Sequence, residues 1–135
     1  MATWAFYNNA ALSGSALTEI PATTYPVSTI QCWFGSTTSG VKLQAASNPG
    51  TDHLFLSVLD SATGTGHATT AIKLATTSGG LATATAGVAL DLDTAIYGGA
   101  ALAEEIWIEV TDAVGQVAKS TELSLSLTAW VQSAT

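Results

Sequence analysis

Apolar and polar residues alternate along most of this chain, and a period of two is typical of β-strands that bury one face. In residues 122–131 the odd positions are all Leu, Ala or Val, and the even positions from 124 onward are Ser, Thr or Trp. Ile106, Ile108 and Val110 form the apolar row of a second strand. No segment sustains a helical period, so we expect an all-β fold.

The same alternation predicts further strands in residues 3–7, 16–20, 27–34, 41–45, 54–59, 71–75 and 88–92. The segments between them are rich in Gly, Asn, Pro and Ser, which are the residues that turns require. We expect at most one short helical turn, within residues 80–86. We therefore expect seven to nine short strands in an antiparallel β-sandwich or a jelly-roll-like barrel.

The length of 135 residues suits a single domain, residues 1–135. A domain of this size buries roughly two-thirds of its unfolded surface and needs no crosslinks. The single cysteine, Cys32, lies between Ile30 and Phe34. It is predicted as a buried thiol in a strand rather than a disulfide partner.

Charged residues are scarce in this chain. Ten acidic residues, three lysines and no arginine give a net charge of −7 and a charged fraction of 10%, against about a quarter in an ordinary domain. We expect a surface of Ser, Thr, Asn, Gln, Gly and Ala, which suits permanent burial against other protein chains. The negative charge disfavours nucleic acid as a partner.

The apolar residues are interrupted throughout, and no run approaches the ~20 residues that span a bilayer. We therefore expect no membrane partner. Residues 1–7 have neither the basic region nor the long apolar region of a signal peptide. From this we expect synthesis and folding in a cytoplasm.

Two histidines suggest the hypothesis of a metal site. His53 and His67 lie in predicted loops, with Asp52 and Asp60 nearby. Their spacing does not match a metal-binding pattern. We expect two loop histidines, one of them hydrogen-bonded locally, and no metal.

Asp91 and Asp93 suggest a calcium site, in which Asp112 or Glu104 would supply a further oxygen. The run of alternating acidic residues that forms a calcium-binding loop is missing. We expect instead that Asp91 faces water and that Asp93 caps a turn into Thr94.

Three carboxylates could be imagined as a catalytic acid and base, Glu104, Glu105 and Glu109. The sequence shows no nucleophile or oxyanion group to accompany them, so we predict that the chain is not an enzyme and uses no cofactor. Glu105 and Glu109 flank Trp107 on one strand face, and such a stripe can also bind a sugar or a neighbouring subunit. The glycine-rich residues 63–67 lack the ending of a phosphate loop and are predicted as a hairpin loop.

Large aromatic residues are the strongest indication of an interaction surface. Trp107 and Trp130 fall opposite the aliphatic rows of their strands, so they face outward if those rows form the core. Exposed aromatics of this size mark interfaces. The alternative is that a loop or the N-terminal segment covers both sheet faces within the domain.

The N-terminal residues 1–26 leave two alternatives open. Trp4, Phe6 and Tyr7 begin the chain with an aromatic strand. This strand is either an arm that pairs with a sheet edge of another subunit or an ordinary first strand. We predict these three side chains, with Trp107 and Trp130, as interface residues.

Four segments, residues 66–75, 78–81, 87–99 and 106–112, resemble small virion proteins of tailed bacteriophages. Such proteins have β-sandwich domains that decorate the capsid or sit on the tail and baseplate. The resemblance covers residues 40–131 and is carried by turns and strand alternation, so no catalytic residue is transferred. It implies a β protein present in many copies on a particle.

These observations predict a non-enzymatic structural component of a bacteriophage particle, located in the virion, as a capsid decoration or cement protein. The expected partners are other copies of the chain, in a homo-oligomer, and a major capsid or tail protein. The alternative is a tail, baseplate or receptor-binding module that binds carbohydrate. A small hydrolase or lectin-like module is a third hypothesis.

Overall fold

The computed structural model describes residues 3–17, 27–60, 71–111 and 123–135. Within these ranges the chain forms ten strands, β1 Ala5–Tyr7, β2 Val27–Gly35, β3 Val41–Ala45, β4 Phe55–Asp60, β5 Ile72–Ala75, β6 Leu90–Asp91, β7 Ile96–Tyr97, β8 Glu104–Thr111, β9 Leu123–Leu127 and β10 Trp130–Ala134. Short 3₁₀ helices occupy Gly79–Ala82 and Ala100–Leu102. The first of them overlaps the helical turn predicted in residues 80–86. The prediction of an all-β fold is confirmed, with one strand more than expected.

The strands form three antiparallel sheets. Sheet A has the order β1-β2-β8-β5, sheet B the order β10-β3-β7, and sheet C the order β6-β4-β9. One apolar cluster takes side chains from all three sheets, which makes the fold sandwich-like. Its fully or nearly fully buried members are Cys32, Phe34, Leu43, Ala45, Leu54, Leu56, Ile72, Leu74, Leu92, Ile96, Ile106, Ile108 and Val110.

Sheet A follows the predicted alternation. Ile106, Ile108 and Val110 are at most 1% exposed, and the residues between them lie on the outer face of the sheet. Burying each of these side chains contributes about 1.5–3 kcal/mol. This burial holds the register of β8, because a slip by one residue would put the charged side chains into the core.

The prediction of one strand over residues 122–131 is wrong. The chain forms β9, which pairs with β4 in sheet C, and then β10, which pairs with β3 in sheet B. Thr128 lies between them: its N–H donates to the Phe55 carbonyl at 2.9 Å, and its Oγ1 accepts the Phe55 N–H at 3.0 Å. Since Thr128 and Ala129 belong to neither strand, the alternation of faces is not carried across them.

Other predicted strands differ at their ends. The strand expected at residues 88–92 is reduced to the two residues of β6, and β7 was not predicted. Residues 16 and 17 are not in a strand. The rest of that predicted strand, His67, Asp112 and the predicted loop 63–67 lie outside the described residues.

The N-terminal segment pairs within its own chain. Strand β1 is antiparallel to β2, with Tyr7 opposite Trp33 and Phe6 opposite Phe34. For residues 3–17 the structure therefore has the ordinary first strand rather than the extended arm. In the part of the chain that is described, no helix is long and apolar enough to cross a membrane.

Candidate interaction surface

Two of the five predicted interface residues lie against the core of the domain. The Phe6 ring is 4.7 Å from the Phe34 ring between centroids, and the Trp4 ring stacks on the same residue at 6.2 Å. Both side chains pack on the buried cluster. We therefore correct their placement: in this conformation Trp4 and Phe6 complete the core instead of facing outward together.

Tyr7 and Trp107 share the outer face of sheet A. The strand register places Tyr7 opposite Trp33, Trp33 opposite Glu105, and Trp107 opposite Gln31. Trp33 and Trp107 are diagonal neighbours, and such pairs have Cα atoms about 7–8 Å apart. We call these five half-buried or exposed side chains, Tyr7, Gln31, Trp33, Glu105 and Trp107, the aromatic face.

Trp33 is the member of this face that was not predicted as an interface residue. Its neighbours Cys32 and Phe34 are both buried, so Trp33 must point to the opposite side of the strand. The alternation argument that led to Trp107 could also have found Trp33. Only the pairing of β2 with β8 places the two indoles side by side.

Glu105 connects the polar atoms of the aromatic face. Its Oε1 accepts the indole N–H of Trp107 at 2.5 Å and the side-chain amide of Gln31 at 3.0 Å. Hydrogen bonds to an ionised carboxylate are shorter and stronger than neutral ones, so they hold both side chains in place. The second carboxylate oxygen, Oε2, has no hydrogen bond among the described residues.

The rest of the outer face of sheet A carries one ion pair. Lys73 Nζ lies 3.8 Å from Glu109 Oε1, and both side chains are half-buried. A pair at this distance contributes little to stability, but it neutralises the charge next to the indoles. The aromatic face therefore adjoins this ion pair along β8, and on β5 the buried Ala75 stands opposite Trp107.

Trp130 lies elsewhere. It is the first residue of β10, at the edge of sheet B, and it is 41% exposed. It stands opposite Ala45, which is buried, so Trp130 lies on the core side of its sheet at an open edge. The prediction that Trp130 faces away from the core is wrong, and Trp107 and Trp130 share no face, because the two residues belong to different sheets.

The acidic residues near His53 line a separate groove. Its walls are His53, Thr76, Asp91, Leu92, Asp93 and Glu104. His53 Nδ1 lies 2.7 Å from Asp91 Oδ1. The partner of His53 is thus distant in sequence, whereas we had expected a local hydrogen bond.

The hydrogen bond to Asp91 raises the pKa of His53 above its ordinary value, and nearby carboxylate charges act in the same direction. The backbone N–H of Asp93, followed by His53, lowers the pKa of Asp91. Burial, with a smaller effect from Asp93, raises the pKa of Glu104. Among the described residues, no three His, Cys, Asp or Glu side chains are arranged to hold a metal ion.

The predicted turn at Asp93 is confirmed. The N–H of Thr94 donates to Asp93 Oδ1 at 2.8 Å, and Asp93 has the left-handed backbone conformation, with φ of 69°. The N–H of Asp93 itself donates to Asp91 Oδ1 at 2.8 Å. The two carboxylates therefore shape a loop.

The carboxylates considered for catalysis do not converge. Glu105 and Glu109 are on the outer face of sheet A, whereas Glu104 lies in the groove beside His53. Cys32 is fully buried, and burial raises the pKa of its thiol to about 12, so it is not an activated nucleophile. In the ranges that the structure describes we find no catalytic constellation.

The chain matches no protein-family profile, no curated protein and no solved structure at a significant level. Its function is therefore inferred from its own residues and their geometry.

Proposed function

We propose that this chain is a non-enzymatic structural protein of a bacteriophage particle, acting on the capsid as a decoration protein. In this proposal the aromatic face docks on a capsid protein. The scarcity of charge in the sequence supports a surface that is permanently covered. The choice of a particle as the place of assembly rests on the sequence resemblance of residues 40–131 alone.

The observation that carries the proposal is the juxtaposition of Tyr7, Trp33 and Trp107 on one sheet face. Aromatic side chains are enriched at the centres of protein interfaces because they bury a large area and lose little conformational entropy. Glu105 already binds the Trp107 N–H and the Gln31 amide, so docking would leave these two donors satisfied. A partner can thus cover the aromatic face without leaving these two donors buried and unpaired.

A decoration protein stabilises a shell by binding across the joints between its subunits. Because it binds the assembled shell and not the separated subunits, it shifts the equilibrium toward the assembled form by mass action. A shell would carry many copies, and a modest affinity at each site would add up over the particle.

Co-sedimentation tests this proposal. The purified chain would be mixed with particles of the phage that encodes it, prepared from a mutant that lacks the gene for this chain, and the bound fraction measured against concentration. Removing one central indole costs about 2 kcal/mol or more at a hot spot, so we expect Trp107→Ala and Trp33→Ala each to weaken particle binding about 30-fold.

Tyr97→Ala is the matched control. Tyr97 is 47% exposed and lies on sheet B, away from the aromatic face, and its loss should leave particle binding unchanged. If the wild-type chain did not bind particles, or if Trp107→Ala and Trp33→Ala bound as well as Tyr97→Ala, the proposal would be wrong.

A second candidate function is carbohydrate binding, as expected of a tail or receptor-binding module. It is favoured by Glu105, which stands opposite Trp33 and two residues from Trp107 on the same face, and whose Oε2 has no hydrogen bond within the described ranges. An aromatic ring can stack on the apolar face of a pyranose while a carboxylate accepts its hydroxyl groups.

A glycan array separates the two candidates. Binding to a defined glycan that is lost in both Trp107→Ala and Glu105→Gln, and kept in Tyr97→Ala, would support the carbohydrate function. Particle binding with no glycan retained on the array would support decoration.

A further inference from the structure

In the part of the chain that the structure describes, strand β10 lies at an unprotected sheet edge. It is the outermost strand of sheet B, and all five of its residues are exposed, with Trp130 and Val131 each 41% exposed. Natural edge strands usually carry Lys, another charge, Pro or a bulge, which prevents pairing with other chains. The sequence of β10, Trp-Val-Gln-Ser-Ala, has no charge and no Pro.

The hydrogen bonds at the two ends of β10 show which backbone groups point outward. The Ala46 N–H donates to the Ala129 carbonyl, and the Thr135 N–H donates to the Gly40 carbonyl. Backbone groups in an antiparallel strand alternate between its two sides, so those of Val131 and Ser133 point to β3. Those of Trp130, Gln132 and Ala134 point away from the sheet, and they have no hydrogen bond among the described residues.

We propose that β10 pairs antiparallel with β10 of a second copy of the chain, around a two-fold axis at Gln132. In this register each strand presents its three outward residues to those of the other, so every outward N–H gains a carbonyl partner. Trp130 stands opposite the partner's Ala134, and Val131 stands opposite the partner's Ser133. Gln132 stands opposite the partner's Gln132.

A second copy fits this edge because the strand is complementary to itself. The large Trp130 side chain meets a small alanine, and no like charges come together. A two-fold pairing also uses the same three residues on both strands, as a symmetric interface requires. The exposed areas of Trp130 and Val131 are covered in the same step.

A single strand pair is a small interface and gives weak association by itself. This inference extends the proposed function, in which many copies assemble on one particle and the local concentration is high. It does not depend on the aromatic face, which lies on another sheet.

Charge substitution at the axis tests the register. Analytical ultracentrifugation of the wild-type chain over a range of concentrations should show a monomer-dimer equilibrium. Gln132→Lys and Gln132→Glu each place like charges opposite each other, and we expect about tenfold weaker dimerisation for either variant alone. An equimolar mixture of the two should dimerise again, because the lysine of one variant would then stand opposite the glutamate of the other.

Ser133→Glu is the control for added charge. The partner of Ser133 across the axis is Val131, and within its own chain Ser133 stands opposite Lys42, so a glutamate here meets no directly opposed like charge and should dimerise nearly as the wild type does. Gln132→Glu keeps an oxygen that can accept the Trp4 N–H, and urea unfolding of each variant would show that the monomer is folded.

Cysteine crosslinking adds an independent measurement. Gln132→Cys should form a disulfide-linked dimer under mild oxidation, because directly opposed residues are within disulfide range. Ser133→Cys should not, since its equivalents are diagonal to each other and face the other side of the sheet. The native Cys32 is buried, so it should form no crosslink of its own in this experiment.

A wild-type chain that stays monomeric at all concentrations would overturn the pairing. So would Gln132 variants that dimerise as strongly as the wild type. In either case the partner of this edge would be a strand of another protein. A monomer that still binds particles would overturn only this inference. A dimer with the expected variant behaviour that binds no particle would overturn only the proposed function.

Discussion

The indole N–H of Trp4 donates a 2.7 Å hydrogen bond to Oε1 of Gln132, and this contact joins the two ends of the chain. Trp4 precedes β1 at one edge of sheet A, and Gln132 lies in β10 at one edge of sheet B. The Trp4 ring also stacks on Phe34. One side chain therefore covers the core and links two sheets.

Trp4→Phe keeps an aromatic ring and removes the N–H. We expect the free energy of unfolding in urea to fall by about 1 kcal/mol, the usual contribution of one hydrogen bond, and Trp4→Ala to lose about 3 kcal/mol because packing on Phe34 is lost as well. Trp130→Phe is the control, since the indole N–H of Trp130 has no hydrogen-bond partner among the described residues. Equal losses in Trp4→Phe and Trp130→Phe would contradict the assigned role of the hydrogen bond.

Gly98 is required by close approach of the backbone. A Cβ atom at this position would overlap the Thr38 carbonyl oxygen and come within 2.8 Å of Val41 Cγ2. We expect Gly98→Ala to lower the free energy of unfolding by about 1–3 kcal/mol, as overpacking does. Gly79→Ala is the control, because nothing lies within 4 Å of its added Cβ; a similar loss in both variants, measured by thermal unfolding, would rule out the steric explanation.

The Cys32 thiol should be unreactive in the folded protein. It is fully buried, and burial raises its pKa to about 12 from an ordinary 9.0. We expect no reaction with a thiol reagent at pH 8 in buffer and one equivalent of reaction in concentrated urea.

The raised pKa of Cys32 determines the direction in which stability changes with pH. The contribution of Cys32 is present below pH 9.0, where the thiol of the unfolded chain is protonated, and it is lost as the pH rises toward 12. In Cys32→Ala, the decrease in the free energy of unfolding that the thiol causes between pH 9.0 and 12 should be absent. Rapid labelling of the native protein at pH 8 would contradict the burial of the thiol.

The His53–Asp91 pair predicts a second pH dependence. The contribution of His53, whose pKa is raised, is present below its ordinary 6.5 and is lost as the pH rises through the folded value. The contribution of Asp91, whose pKa is lowered, is present above its ordinary 3.8 and is lost as the pH falls through the folded value. The stability difference between the wild type and Asp91→Asn should therefore be greatest between pH 3.8 and 6.5.

A proton NMR titration of His53 measures the same effect directly. In Asp91→Asn the pKa of His53 should fall toward its ordinary value, since the hydrogen bond is the largest cause of the shift. Asp52→Asn should change it less, because Asp52 acts on His53 through charge alone. The reverse order of the two variants would show that the pair does not form.

Much of the fold could be predicted from alternation. Strands β2 and β8 each have one buried face and one outer face, because successive residues in a strand point to opposite sides of the sheet. The turn at Asp93 was predicted from the ability of a short carboxylate to bond the following backbone N–H. These features depend on neighbours in sequence.

The candidate site was predicted only in part. Trp107 was correctly expected to point away from the aliphatic row of its strand, but Tyr7 and Trp33 became its neighbours through the pairing of β1, β2 and β8. Trp130 was misplaced because two residues outside any strand separate β9 from β10. A periodic pattern read across such a break assigns the wrong face.

The sequence by itself determined that this chain is all-β and sparsely charged, and which side of most strands is apolar, because those properties follow from residue type and a period of two. Tertiary structure decided which strands are neighbours, that Trp4 and Phe6 belong to the core, and that β10 is left at an open edge. Strand pairing joins residues far apart in the chain, such as Trp4 and Gln132. Their contact depends on the packing of whole sheets, which no local pattern contains.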